Sequence, residues 1–113
     1  MDSILTTIKK MLGIEEDYEH YDTDIIVLIN SSLMKLMQLG VGPKEGFSIK
    51  DKTDTWDDFL NGKIDLEGVK SYIYMDVRLI FDAPTPHYVA GAMTEQVKEL
   101  GWRLNVEAER STW

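Results

Sequence analysis

His20 and His87, with the carboxylates around them, are the side chains whose types and spacing offer the widest chemistry. His20 lies among Glu15, Glu16, Asp17, Glu19, Asp22 and Asp24. Imidazole nitrogens and carboxylate oxygens can share a divalent cation. The segment lacks the ordered acids and central glycine of a calcium loop, and no second histidine sits four residues away. It reads as a solvated acidic loop. His87 falls in the first turn of an expected helix. A nucleophile–base–acid arrangement would need a serine or threonine brought to it in space, and no Gly-x-Ser-x-Gly turn points to one. Asp57 and Asp58 could pair as acid and base, yet acids in a helix's first turn already complement its dipole. The glycines of GVGPKEG lack the Gly-Lys-Ser/Thr ending of a phosphate loop. With no cysteine in the chain, disulfides, thiol catalysis and cysteine-bound zinc are excluded. No catalytic, metal or cofactor set is expected.

The aromatic residues and the charge balance point elsewhere. Trp56, Phe59, Tyr72, Tyr74, Phe81 and Tyr88 crowd the second half, followed by Trp102 and Trp113. Most should be core. Tyr and Trp are also enriched where proteins meet, and Tyr88 and Trp102 fall off the apolar stripe of their helix, which makes them interface candidates. The formal charge is −8, from 20 acidic and 12 basic side chains. Such a balance favours solubility and repels the DNA backbone. A sharper reading is a surface that lies near DNA without holding it. No Lys/Arg-rich run with interleaved aromatics suggests specific nucleic-acid recognition.

The elements that must position these residues are helices. At 113 residues and 43% hydrophobic, residues 1–113 suit one domain with a real core. The expected class is all-α: a small bundle of about four to five helices with one long loop, at about 40–53. The first helix should run from about Ser3 to Leu12, capped by Asp2 or Ser3, with Gly13 in the left-handed position after it. The second should run from about Thr23 to Leu39, capped by Asp22 or Thr23. Its Ile25–Ile29 run is apolar on every side, which marks a central helix. Within the loop, Phe47-Ser48-Ile49 alternates like a short extended piece. A short helix from about Thr55 to Leu60 has Asp54 as its expected cap. The fourth should span about Leu66 to Phe81, capped by Asp65, with Leu66, Val69, Ile73, Val77 and Ile80 as its core stripe. It must stop before Pro84, because proline disfavours helical geometry in the residue ahead of it. Thr85-Pro86 starts the fifth helix. That helix reaches about Glu109 on a narrow stripe of Val89, Met93, Val97, Leu100 and Leu104, with Glu99 and Arg103 paired opposite. The start of the chain lacks signal-peptide order, and no apolar run approaches the roughly 20 residues of a membrane span.

The stretch VKSYIYMDVRLIFDAPTPHYVAGAMTEQVKELGWRLN resembles the phage head–tail connector family of small adaptor, head-completion or DNA-packaging proteins. The resemblance is carried by Val69-Lys70-Ser71-Tyr72-Ile73, Val77-Arg78, Phe81-Asp82-Ala83-Pro84 and Glu99-Leu100-Gly101-Trp102-Arg103-Leu104. Upstream, Phe47-Ser48-Ile49 and Thr55-Trp56-Asp57-Asp58-Phe59-Leu60 fit as well. It implies a structural virion protein, assembled in the bacterial host cytoplasm, and no enzyme. Subunits would form a ring, commonly twelve-fold, beneath the portal protein after DNA packaging. The ring would give a stopper or tail-completion protein its attachment site and let DNA through its channel. The isolated subunit could be a monomer, since such a ring can form on the portal as template. For contacts with neighbouring subunits or portal, the expected residues are Lys44, Glu45, Phe47, Ile49, Tyr88, Trp102, Arg103 and Trp113. The long loop would order on docking, and deleting Lys44 to Lys50 should leave a folded monomer that no longer binds portal. Two other readings are a small acidic interaction module, either a regulator or a DNA-mimic inhibitor, and a tail-side completion protein.

Overall fold

A computed structural model describes residues 3–61, 66–85 and 87–110. Five helices follow one another: α1 (Ile4–Met11), α2 (Asp22–Gln38), α3 (Trp56–Leu60), α4 (Leu66–Phe81) and α5 (His87–Arg110). The described residues contain no strand, only an isolated bridge between Ser3 and Thr55. The all-α class is as expected. Asp2, Asp65, Pro86 and Trp113, named above as caps, helix start and contact, lie outside the described residues.

The caps show where local chemistry was read correctly and where a longer-range contact won. Ser3 caps α1 by accepting from the Thr6 amide at 3.2 Å, and Gly13 takes φ 81° after the helix. At α2, Tyr21 holds the N-cap position with no side-chain hydrogen bond. Neither Asp22 nor Thr23 caps it. The Asp22 carboxylate is committed to Lys9 Nζ at 2.8 Å, while Asp22 and Asp24 still complement the dipole from the first turn. At α3 the cap is Thr55, not Asp54. Thr55 Oγ1 accepts from the Asp58 amide and Asp58 Oδ2 from the Thr55 amide, both at 3.1 Å, a reciprocal capping box. Asp54 turns back instead and accepts from the Lys50 amide at 2.6 Å.

The central helix is α4, which packs against α1, α2 and α5. Its Val69, Tyr72, Ile73 and Val77 are buried together with Ile25, Ile29, Leu33 and Leu36 of α2. Burial of such side chains contributes about 1.5–3 kcal/mol each. Two expectations about buried faces need correction. Val27 and Met34 of α2 are 61% and 51% exposed. They lie seven residues apart on the one side of α2 that no other element covers, so α2 is a flanking helix despite its apolar sequence. Ile80 is 64% exposed although it continues the α4 core stripe, while its neighbours Leu79 and Phe81 still pack against the core.

The loop between α2 and α3 is long, as expected, but much of it is fixed. Val41 and Ile49 are core residues. The Asn30 side chain donates to the Ile49 carbonyl at 3.1 Å and accepts from the Ile49 amide at 2.7 Å. Asn30 thus supplies the backbone pairing that an adjacent strand would have given the extended Phe47–Ile49 piece. Phe47 packs on Phe59 with ring centroids 5.3 Å apart.

Candidate functional site

Helix α5 has 24 residues and is therefore about 36 Å long. Only Val97, Gly101, Leu104 and Ala108 are buried, none of them ahead of Val97. Gly101 lets this part of the helix approach α4: a Cβ there would stand 3.1 Å from the Tyr72 ring. From His87 to Gln96 no residue with a described side chain is buried. Yet the core-facing stripe continues through this overhang as Ala90 and Met93, seven and four residues ahead of Val97. Val89 is 36% exposed and Tyr88 77% exposed. The overhang starts just after the turn that follows Ile80, so exposed apolar side chains flank the passage of the chain from α4 to α5.

Farther along α5, a groove of about 530 Å³ opens over α4, between α2 and α5. Tyr72 and Val97 give it apolar surface and Trp102, 64% exposed, forms part of its edge. Its polar wall is Asp76, which accepts from Ser32 Oγ at 2.6 Å and from Lys35 Nζ at 3.1 Å on both oxygens. Burial, and then the Asp76 carboxylate, push the Tyr72 phenol above its ordinary value. Ser32 has no exposed surface and its hydroxyl already donates to Asp76, so it holds the wall and cannot attack a substrate.

The sequence-derived contact residues divide in space. Lys44 and Glu45 are exposed at the loop tip, and Tyr88, Trp102 and Arg103 are exposed on α5, with Arg103 held by Glu99 at 3.1 Å. Phe47 is half-buried against Phe59, and Ile49 is 3% exposed. Ile49 is therefore spent on the chain's own core. His20 joins an exposed ledge of rings, 4.8 Å from Tyr21 and 6.0 Å from Tyr18, with Tyr21 in turn 5.3 Å from Phe81. Among the described residues no three His, Cys, Asp or Glu side chains converge as a metal site would require. None of their helices is long and apolar enough to cross a membrane.

Sequence reasoning missed the packing reason for Gly101 and the exposed corner at Ile80. The break in the α5 pattern, where large apolar residues give way to Ala90-Gly91-Ala92, was the available signal.

A family model described as phage connector protein matches residues 4–111. The chain belongs to the phage connector family. No curated protein and no solved structure matches it. Membership gives the connector a structural role in a bacteriophage. It also gives the signature residues a context: Tyr72, Gly101 and Leu104 make the α4–α5 seam, while Trp102 and Arg103 of the same motif stay on the surface.

Proposed function

We propose that this connector is a non-enzymatic virion subunit that joins a ring beneath the portal after DNA packaging. The ring gives the stopper or tail its attachment site and leaves a channel for DNA. The observation that carries this reading is the corner of α4 and α5, where Ile80 at the end of α4 and Tyr88 in the overhang are 64% and 77% exposed. Large apolar side chains left exposed together in the single chain mark a place for another chain to pack. A ring needs a heterologous contact, one patch against a different patch of the next subunit. The overhang and the uncovered Val27–Met34 side of α2 are two such unlike patches. The charge of −8 suits a channel through which DNA must pass without sticking. Lys44 and Glu45 at the loop tip remain candidates for portal contact, as does Trp113.

Electron microscopy of particles made without this protein tests the reading. DNA-filled heads without tails are the expected product; normal infectious virions would refute it. Deletion of Lys44 to Lys50 is not a clean test of the loop, because it removes Ile49 from the core. Replacing Lys44 and Glu45 with alanine keeps the fold and asks the same question of portal binding.

A further inference from the structure

Lys10 at the end of α1, Lys52 in the loop before α3 and Lys70 in α4 line one surface cavity of about 630 Å³. Thr6 and Thr53 contribute further lining, and Glu16 is the one acidic residue among the lining residues. Acids outnumber bases by 20 to 12 in this chain, so most cations should find a carboxylate. Among the described residues six ion pairs engage Lys9, Lys35, Lys50, Lys70, Lys98 and Arg103. Lys10 and Lys52 make none. The nearby Asp51 does not neutralise Lys52 by contact. Its carboxylate accepts from the Thr53 hydroxyl at 2.5 Å and the Thr53 amide at 2.8 Å, and those bonds hold it below the usual carboxylate range. Lys70 is only loosely paired, 3.9 Å from Glu67, and its stem is fixed with Nζ 5.7 Å from the Trp56 ring centroid. Its side chain is 16% exposed, so one of the three charges is held in place before any ligand arrives.

We propose that this cavity binds a phosphoryl group, supplied by the DNA backbone or by free phosphate. Ammonium groups are strong point-charge partners for phosphate, and a concave wall of low dielectric concentrates their field. The Thr6 hydroxyl adds a neutral donor. A single such site on a surface that repels DNA overall makes contact brief and local. The proposal does not depend on the connector reading, since it concerns the isolated chain.

The test follows backbone amide resonances of the isotope-labelled chain during titration with inorganic phosphate, and separately with a short DNA duplex at low salt. Saturable shifts at Thr6, Lys10, Lys52 and Thr53 are expected, lost in the Lys10→Gln/Lys52→Gln double variant and strengthened in Glu16→Gln. Both lysines are exposed, so the double variant should keep the wild-type circular dichroism. If duplex binds, the double variant should lower the salt slope by about 2, one per lysine, and the phosphodiester is the source. Binding of phosphate without duplex assigns the site to a free phosphoryl ligand. No saturable shift with either probe, or equal shifts in the double variant, overturns the proposal.

Discussion

Lys9 is the most deeply buried charge among the described residues, with its side chain 3% exposed. Its ammonium reaches the Asp22 carboxylate at 2.8 Å and donates to the carbonyls of Glu16 and Tyr18 at 3.0 and 2.8 Å. One side chain therefore ties the 15–21 loop to α1 and to the start of α2. Removing it would leave those acceptors without a buried partner. Lys9→Ala is expected to cost about 2–4 kcal/mol, discounted because Asp22 is partly exposed. A chemical denaturation curve measures this; a loss under about 0.5 kcal/mol, the usual range for a surface change, would sink the idea. Tyr72 yields a pH prediction. Burial first, and Asp76 second, raise its phenol above the ordinary value of 10.0. The folded state thus holds the proton more tightly than the unfolded state does. That contribution to stability is complete below about pH 10 and is lost as pH rises through the folded value. The melting temperature should fall in that window, and Tyr72→Phe should flatten the fall. Neither role is visible in the sequence. A lysine in an apolar helix stripe reads as a surface residue, and nothing local says that two carbonyls of the next loop and a carboxylate of α2 will converge on it.

Among the elements, those with clear periodicity and strong end signals were legible. α4 has the bounds its pattern predicts, Leu66–Phe81, and α3 ends where expected at Leu60. α2 was legible as a helix but not in its facing. A run such as Ile25–Ile29 has no polar side to mark solvent, so only the neighbours decide that Val27 points out. The phosphate-cavity lysines were illegible for a related reason: they come from three segments and meet only after folding. The 40–53 loop carries the most specific element-level prediction. Asn30 pairs both backbone groups of Ile49. Asn30→Ala leaves them unpaired in a largely buried setting and is expected to cost about 1–3 kcal/mol. Hydrogen exchange at the Ile49 amide should speed up by more than the global loss of stability accounts for, because the loop loses its tether. Asn30→Asp keeps the acceptor and loses the donor, so the Ile49 amide should stay better protected than in Asn30→Ala. Equal protection in the two variants would contradict the clamp.

For the whole molecule, the question is what completes a body measuring 42 × 35 × 19 Å whose longest helix has no buried residue described ahead of Val97. Stability and assembly separate at the α4–α5 corner. Ile80 is 64% exposed in the single chain, so Ile80→Asp removes little buried area there and should change stability by no more than about 0.5 kcal/mol. In an assembled connector the same position would be covered, and an aspartate would be buried unpaired against an apolar surface, which costs several kcal/mol per contact. A ring repeats that cost at every seam. Ile80→Asp should therefore melt like the wild type, yet fail to join tail-competent particles when it replaces the native protein during infection. Leu104→Asp is the contrasting case: Leu104 is 2% exposed within the subunit, so that change should unfold the chain itself. If Ile80→Asp assembles normally, the corner is not the seam, and the Val27–Met34 side of α2 becomes the next surface to test by the same pair of measurements.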